Sequence, residues 1–487
     1  MKSVNGGDGA AEARESLLAN EPGGAAPPQA PPEAPAPRGV VLQRLYVAAV
    51  FSTFAFMQGL CWAIPGPLSA AYATLYNAQA AEVQLLVNLG PLVYLPLSLP
   101  FALWMDKKNG VRLATIVGIT LVTVGQAART LAHDSSDFSE AMLYISYTLN
   151  AAAGPVAMGA VGRISEGFFP PSQRATATAV MAEANLLGVA GAQLFGPLIV
   201  QQAVLSEMQA YNYSLLAICL LMQACVLLYF PAAPATPPSA SAAAVEKHEA
   251  AHPMNVGALW AAVRALSTSP SFMVLACAYG LSTGMFGSWA TVLSINLSSC
   301  DPLYVGWLSF AMTVAGGVGG IFAGRVVDRL RRPKAILVAL LLASGALFSA
   351  FAVICSGWFE GFPICDADGS PDRGMSVLFV LGVLGGLALN STIPIFYELA
   401  LETTYPLPEA TTLIWLTNMN NVACILFLSI PQTWTGINWL FSGTVVVFAL
   451  LTQAVFVEKQ KRYAVDVGAA LEDEEHGPKG KERLGAE

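Results

Sequence analysis

Glu183 is the residue best suited to chemistry, because it places a carboxylic acid inside a long apolar stretch. An ionised carboxylate at such a depth in a bilayer is costly and commonly marks an ion or proton path. Loss of water favours the neutral acid, so protonation of Glu183 can be coupled to solute movement. The spacing also permits an ion pair with Arg174 or Arg163, which would make the glutamate structural. We predict proton coupling at Glu183, with the ion pair as the alternative.

Other polar and aromatic residues lie at similar depth in different apolar stretches. A rise of 1.5 Å per residue predicts depths of about 12 Å for Glu183, Tyr279 and Asn418, and about 16–20 Å for the other amides. Each has a structural alternative, since Asn and Gln often join neighbouring helices and aromatic residues often pack or lie at the lipid interface. The predicted substrate-binding residues are Gln58, Trp62, Asn150, Glu183, Tyr279, Asn390, Asn418 and Asn421.

Charged residues at the ends of the apolar stretches are predicted to form a gate. Asp106 and Asp328 each follow a small residue by four positions and precede a basic turn, which suggests an ion-pair latch between half-bundles. Glu398 and Glu402 share a helix face, with the basic 8–9 loop as the expected partner and a vestibule for a substrate cation as the alternative. The alternative is that these charges only anchor the loops and form no gate. The predicted gating residues are Asp106, Arg112, Arg163, Asp328, Arg329, Glu398 and Glu402.

The elements that position these residues must be membrane-spanning helices. The 487 residues are 55% hydrophobic and 11% charged, with a mean hydropathy of +0.56. A soluble chain carries about 25% charged residues. Stretches of about 20 apolar residues cross a bilayer. The predicted spans 1–12 are 45–66, 84–105, 111–132, 141–162, 176–203, 212–230, 271–296, 304–324, 334–356, 375–397, 410–431 and 436–457.

The breaks between spans divide the chain into five parts. These are a disordered cytoplasmic tail (1–40), a six-helix bundle (41–230), a cytoplasmic linker (231–270), a second six-helix bundle (271–460) and a mixed-charge cytoplasmic tail (461–487). With both termini cytoplasmic, all but two of the 24 Lys and Arg residues fall on the cytoplasmic side. The exceptions are Arg373 and Arg129, and Arg129 is expected to reach the outer surface without a substrate role.

The predicted outer loops carry features typical of an extracellular or lumenal side. Asn212-Tyr213-Ser214 and Asn296-Leu297-Ser298 are glycosylation sequons. Cys355 and Cys365 lie in or beside the 9–10 loop and are candidates for a disulfide.

Matching inner loops indicate an internal repeat. The Asp motif occurs in the 2–3 and 8–9 loops, and the segment from Phe169 to Thr176 is echoed by the segment from Tyr405 to Thr411. Two six-span halves with matching loops are typical of the major facilitator fold. We therefore predict an all-α membrane protein of 12 transmembrane helices in two six-helix bundles, monomeric in the lipid bilayer.

Several classes of function are disfavoured by the composition. The net charge of −8 gives no reason to expect a nucleic-acid partner. The cysteines show no metal-site spacing, and no histidine lies deep in an apolar stretch, so neither a metal nor a cofactor is predicted. No phosphate-binding loop, buried histidine or paired nucleophile and base indicates an enzyme.

Two motifs resemble those of the feline leukaemia virus subgroup C receptor-related transporters, solute carrier family 49. They are AYGLSTGMF from Ala278 to Phe286 and PIFYELALETTYPLPEATT from Pro394 to Thr412. QGLCW at 58–62 and WMDKKNGVR at 104–112 are most similar to the disrupted-in-renal-carcinoma subgroup. The similarity covers roughly residues 41–460.

The resemblance implies transport of a small organic solute. Family members are associated with choline and ethanolamine, with haem, or with vitamin-like cations in a lysosomal subgroup. Quaternary ammonium sites in the family use aromatic residues of spans 1 and 7, and Tyr279 matches the second of these. Phe56 stands in place of the span-1 tryptophan and Leu186 in place of a span-5 glutamine, which counts against choline.

The predicted function is secondary active transport of a cationic or amphipathic small solute by alternating access, with proton coupling as one mode. A non-transporting receptor that keeps the fold and binds a partner or ligand is the alternative. The segment Glu15-Ser-Leu17-Leu18 resembles an acidic dileucine sorting signal. Both a lysosomal or vacuolar membrane and the plasma membrane are therefore possible locations.

Overall fold

The computed structural model describes residues 37–465 except 108, 235–237, 240, 242–254, 298–299, 301, 358–362, 367–368, 429 and 431–435. Most of the predicted terminal tails, including the dileucine segment, lies outside the described residues. The first bundle, spans 1–6, consists of helices Arg38–Ala63, Ala80–Met105, Gly110–Thr130, Asp137–Ala152 continued by Gly154–Phe168, Arg174–Ile199 and Leu205–Leu228. A short helix, Ser69–Tyr76, connects spans 1 and 2.

The second bundle repeats this arrangement. Spans 7–12 consist of Pro270–Tyr279 with a π-helix at Gly280–Gly284 and Met285–Asn296, then Pro302–Leu330, Pro333–Cys355, Arg373–Asn390 with Ile393–Thr404, Glu409–Leu428 and Ile437–Val455. Eleven helices of the described chain are long and apolar enough to cross a membrane. Span 4 is not among them because its two helices of 16 and 15 residues meet at Ala153, two residues before Pro155. The all-α architecture of twelve spans in two sets of six is confirmed.

The linker and the ends of the bundles contain more helix than expected. The second half of the linker forms the helix Val256–Thr268, which buries Leu259, Val263 and Leu266. Span 1 begins at Arg38, within the predicted tail. After span 12, residues 456–460 are not helical and residues 461–465 form a short helical segment. The predicted mixed-charge tail therefore begins with an ordered turn.

The two bundles pack closely through glycines of span 8. A Cβ at Gly317 would lie 2.7 Å from the Leu187 side chain, and a Cβ at Gly324 would lie 2.8 Å from the Ala175 carbonyl oxygen. Only glycine permits such an approach, so spans 5 and 8 touch over most of their inner length. Large apolar side chains such as Leu221 and Phe322 remain exposed at 68% and 62% and form the surface that faces lipid.

The expectation that Arg129 reaches the outer surface is wrong. Its side chain is 1% exposed and lies inside the first bundle, where it donates to the Cys61 carbonyl oxygen at 3.0 Å and to Ser146 Oγ at 3.1 Å. Its guanidinium lies 4.1 Å from the centroid of the Tyr147 ring. Cation–π attraction and the two hydrogen bonds hold the charge inside the bundle, so Arg129 does not extend to the surface.

The outer-loop expectations need two corrections. The disulfide joins Cys300 to Cys365, whereas Cys355 is a free thiol at the end of span 9. The bond therefore ties the segment after span 7 to the 9–10 loop. Span 6 begins at Leu205, because the polar residues before 212 form its outer turn, and Asn212 is fully buried in that helix. A buried helical asparagine cannot accept a glycan. The Asn296 sequon reaches residues outside the described part.

Candidate functional site

A cluster of tyrosines lies where the two bundles meet. The Tyr279 ring contacts Phe396 edge to face at 5.5 Å and Tyr397 at 5.7 Å between centroids. The Tyr279 and Tyr397 hydroxyl groups are 3.4 Å apart, and the Tyr397 hydroxyl is 3.5 Å from Thr417 Oγ1. From the first bundle, Tyr94 faces Tyr397 and Thr417. Three buried phenols from spans 2, 7 and 10 therefore converge on one point.

The backbone beside Tyr279 is adapted to this packing. The π-helix follows directly, and Thr283 Oγ1 donates to the Tyr279 carbonyl oxygen at 2.7 Å. A Cβ at Gly280 would lie 2.6 Å from the Met419 backbone, so glycine lets spans 7 and 11 approach each other here. Single π-turns inside helices often occur at functional sites. This accounts for the AYGLSTG part of the sequence motif.

Glu183 lies beside the tyrosine cluster without an ion-pair partner in the described chain. It is fully buried, and neither carboxyl oxygen has a hydrogen-bond partner among the described residues. The carboxyl group sits against Gly320, where a Cβ would be 2.2 Å from Oε1. Tyr279 and Tyr397 of the second bundle lie close enough to Glu183 to interact with it electrostatically. The alternative ion pair with Arg174 is absent, since Arg174 donates to Ser239 and Ser241 of the linker at 2.7 and 3.0 Å.

Gln58 and Asn150 form an amide network inside the first bundle. Asn150 Nδ2 donates to the Gln58 carbonyl oxygen at 3.0 Å, and Gln58 Nε2 donates to the Asn150 carbonyl oxygen at 3.3 Å. Asn185, which the sequence analysis did not select, donates to Gln58 Oε1 at 2.7 Å. Asn185 lies two residues beyond Glu183 on span 5. The network therefore connects spans 1 and 4 to the helix that carries the buried acid.

The remaining predicted binding residues lie in different environments. Asn418 Nδ2 donates across the bundle interface to Ser98 Oγ at 3.0 Å. Trp62 Nε1 donates to the Val87 carbonyl oxygen at 2.9 Å, which joins spans 1 and 2. Asn390 packs against Gly316 of span 8, and Asn421 donates to the Thr417 carbonyl oxygen of its own helix. The structure thus brings Glu183, Tyr279 and Asn418 to the bundle interface. The contacts of Trp62 and Asn390 lie within one bundle, and the hydrogen bond of Asn421 lies within its own helix.

The face that carries the 2–3, 4–5, 8–9 and 10–11 loops, called the inner face, is closed by two symmetric helix caps. Asp106 accepts hydrogen bonds from the Ala410 and Thr411 amides at 3.1 and 2.9 Å, at the start of span 11. Asp328 accepts them from the Ala175 and Thr176 amides at 3.2 and 2.9 Å, at the start of span 5. Each aspartate belongs to one bundle and caps a helix of the other.

This arrangement differs from the ion-pair latch expected from the basic turns. Arg112 and Arg329 are exposed, whereas Arg163 lies close to Asp106. Burial raises the pKa of the Asp106 carboxyl group, and Arg163 and the hydrogen bonds act in the opposite direction. The backbone N–H groups at the start of a helix favour a carboxylate. The partner of each aspartate is therefore chiefly a helix N-terminus.

Glu398 and Glu402 have a partner that the sequence analysis did not identify. Both bind Arg462, at 2.6 and 3.3 Å, in place of the expected basic residues of the 8–9 loop. Arg462 also binds Glu409 at 3.1 Å and is 1% exposed. Burial disfavours its charge, but the surrounding glutamates hold the pKa of Arg462 well above its usual value. Arg462 belongs to the segment that was assigned to the C-terminal tail.

Glu398 also crosses the bundle interface. It accepts a hydrogen bond from Thr178 Oγ1 of span 5 at 2.6 Å. Nearby, Arg331 donates to the Pro171 carbonyl oxygen at 3.0 Å and stacks over Tyr463 at 4.5 Å. The residues after span 12 therefore pack against the 8–9 loop, beside its contact with the 4–5 loop. Together with the two aspartate caps, the Thr178–Glu398 and Arg331–Pro171 hydrogen bonds join the bundles at the inner face.

Comparisons with known proteins identify the architecture independently. Residues 51–428 match the family profile of the Major Facilitator Superfamily. The solute carrier family 49 member 4 homolog of Xenopus tropicalis is 32% identical over 89% of this chain and 94% of that protein. The choline/ethanolamine transporter FLVCR1 of Felis catus is 24% identical over 90% of this chain and 77% of that protein.

Solved structures show the same fold at low sequence identity. The transporter FucP in the outward conformation has a TM-score of 0.60 and 14% identity, over 84% of this chain and 99% of that chain. The proton:xylose symporter XylE bound to 6-bromo-6-deoxy-D-glucose has a TM-score of 0.62 and 13% identity, over 88% and 99% of the two chains. At these identities the likeness supports the fold alone.

Proposed function

The chain belongs to the Major Facilitator Superfamily and, within it, to solute carrier family 49, and we propose that it moves a small organic cation by alternating access, with Glu183 as the coupling carboxylate. It is a multi-pass secondary transporter of a small solute, not an enzyme. What we propose beyond this is the class of substrate, the coupling to protons and the alternating-access mechanism.

One observation carries the proposal, namely that the Glu183 carboxyl group lies beside Tyr279 and Tyr397 at the bundle interface and has no partner among the described residues. Ring faces attract a cation by about 0.5–2 kcal/mol. A carboxylate adds a charge of the opposite sign. When Glu183 is neutral the site lacks that charge, so binding of a proton and binding of a cation would compete. This competition is the basis of an exchange or coupling mechanism.

The contacts at the inner face support alternating access. The caps at Asp106 and Asp328 and the Thr178–Glu398 hydrogen bond all cross between bundles near that face. A solute at the tyrosine cluster is therefore separated from the inner side by several layers of contacts. Opening requires these contacts to break together while the outer ends of the spans approach each other.

We also propose that the inner face is cytoplasmic and that both termini lie there. The basic residues of the inner loops favour this orientation. The Cys300–Cys365 disulfide belongs to the opposite face, which fits an exterior or a lumen because those compartments are oxidising. Microscopy of the expressed protein would decide between the plasma membrane and the lysosome.

The purified full chain in liposomes tests the proposal with choline, ethanolamine, pyridoxine and haem as probes. Saturable uptake of at least one cationic probe, driven or inhibited by a pH gradient, is the expected result. Binding of a probe without any flux would instead favour a receptor that keeps the fold. Uptake of haem alone would contradict the assignment to small cations.

Tyr279→Ala is expected to raise the KM for a cationic probe about fivefold, because it removes a ring worth on the order of 1 kcal/mol to a cation. Tyr279→Phe keeps the ring face and should raise KM less than about threefold. Tyr213→Ala, an exposed tyrosine of span 6, is the control. KM is measured from initial uptake rates at equal protein abundance. Equal losses in the Ala and Phe variants would exclude recognition by the ring face.

A further inference from the structure

Glu166 and Glu409 face each other across the bundle interface at the inner face. Glu166 is at the inner end of span 4 and Glu409 begins span 11, and they are 2% and 5% exposed. The two carboxyl groups are within hydrogen-bonding reach of each other. The packing one turn deeper agrees, since a Cβ at Gly162 would lie 3.0 Å from Leu413 Cδ1. Spans 4 and 11 therefore place one buried acid opposite the other.

Two carboxylates cannot bond to each other without a proton. Each ionised group only accepts hydrogen bonds, and two like charges at this distance repel. Glu409 Oε1 accepts from Arg462 at 3.1 Å. The other Glu409 oxygen and both Glu166 oxygens have no donor among the described protein groups. A proton on one acid would supply the missing donor.

The charges around the two acids are balanced when the cluster binds one proton. Glu166 faces Arg163, Arg174 and Arg462, and Glu409 faces Arg163 and Arg462. Arg462 also binds the remaining two acids of this cluster. Among the described residues, four glutamates therefore meet three arginines, and a single proton balances the charge of this set. The members of the cluster are Glu166, Glu398, Glu402, Glu409, Arg163, Arg174 and Arg462.

The adjacent aspartates do not change this balance. Asp106 faces Arg163, and Asp328 faces Glu398 and Arg331. Each aspartate is already satisfied by the N-terminus of a helix, whose partial positive charge offsets much of its own. Among the described acids of this cluster, the unsatisfied oxygens are thus both oxygens of Glu166 and Oε2 of Glu409.

We propose that Glu166 and Glu409 bind one proton between the two bundles and that this proton holds the inner face closed. Its release leaves two adjacent carboxylates, which drive spans 4 and 11 apart. The closed state binds the proton more tightly than the open state, in which water solvates both acids. By linkage, closure is favoured at low pH and lost as the pH rises. The site is separate from Glu183 and needs no substrate.

Distances between spin labels at Gln173→Cys and Lys459→Cys test this in the substrate-free full chain in lipid nanodiscs. Both positions are exposed at the inner face, one on each bundle, and the free cysteines are replaced by alanine. The label distance is expected to be short near pH 5.5 and longer near pH 8. A one-proton linkage changes the ratio of closed to open molecules by at most about tenfold per pH unit.

Glu409→Gln is expected to keep the distance short at both pH values. Its amide oxygen can still accept from Arg462, and its amide N–H can donate to Glu166 without titrating. Glu166→Gln should also keep the label distance short at both pH values, so the test does not depend on the folding of a single variant. Glu183→Gln should retain the pH response. Loss of the response in Glu183→Gln, its persistence in both inner-face variants, or its absence in the unmodified pair would each overturn the proposal.

Discussion

Glu183→Gln is expected to abolish the pH dependence of solute uptake and to leave the amount of folded protein in the membrane unchanged. Glutamine has nearly the same size and shape, so the packing against Gly320 is preserved. It cannot take up or release a proton, so the site at the tyrosine cluster keeps one charge state at every pH. The described chain offers the Glu183 carboxyl group no hydrogen-bond partner whose loss would destabilise the fold.

The measurement is the initial rate of uptake by proteoliposomes between about pH 5.5 and about pH 7.5. Coupling to one proton allows up to about tenfold change per pH unit in the unmodified protein. The Glu183→Gln protein should vary less than about twofold over the same range. Glu140→Gln, an exposed acid at the start of span 4, is the matched control. An unaltered pH profile in Glu183→Gln would remove Glu183 from the coupling mechanism.

The fold was predictable because lipid imposes simple rules on the sequence. Length and apolarity identify a spanning helix without any tertiary information, and twelve such stretches were found. The repeated inner-loop motifs then indicated two related bundles. The error at span 6 has a physical cause, since its first turn carries Glu207, which accepts hydrogen bonds from the Gln201 and Gln202 amides. In a hydropathy pattern, a polar outer turn of a helix cannot be distinguished from a loop.

The site was predictable only in part, because depth along a helix is a local quantity and orientation around it is not. Counting residues placed Glu183 and Tyr279 at one depth, and the structure brings them together. The same counting selected Asn390, which packs against span 8 within the second bundle. Asn185 was overlooked because its neighbour two positions earlier carried the more unusual side chain.

Partners that come from distant segments were the least accessible to sequence reasoning. Arg462 lies beyond the last span in a stretch of mixed charge, where a single arginine is unremarkable. One signal was available, namely that Glu398, Glu402 and Glu409 require a cation when buried. The nearest basic loop was the wrong choice because tertiary contacts decide the partner. The disulfide was misassigned for a related reason, since Cys300 and Cys365 are adjacent in space and 65 residues apart in sequence.

Arg462→Gln is expected to cause the largest loss of stability among single substitutions at the inner face. The guanidinium binds three glutamates, of which Glu398 and Glu409 are buried, and removing one partner of a buried ion pair costs about 3–5 kcal/mol. The neutral variant leaves the glutamates repelling each other between spans 10 and 11. Arg462→Lys should recover only part of the loss, because an ammonium group cannot span three carboxylates as a planar guanidinium does.

The apparent melting temperature in nanodiscs and the label distance between positions 173 and 459 measure this effect. Arg332→Gln removes an exposed arginine from the same face and serves as the control. The double variant Arg462→Gln with Glu402→Gln should melt at a higher temperature than Arg462→Gln alone, because one uncompensated charge is removed. If Arg462→Gln melted at the temperature of the control and kept a short label distance, the residues after span 12 would have no part in closing the inner face. The glutamates would then be held by Arg163 and Arg174 of the first bundle, and closure would depend on the aspartate caps and the shared proton.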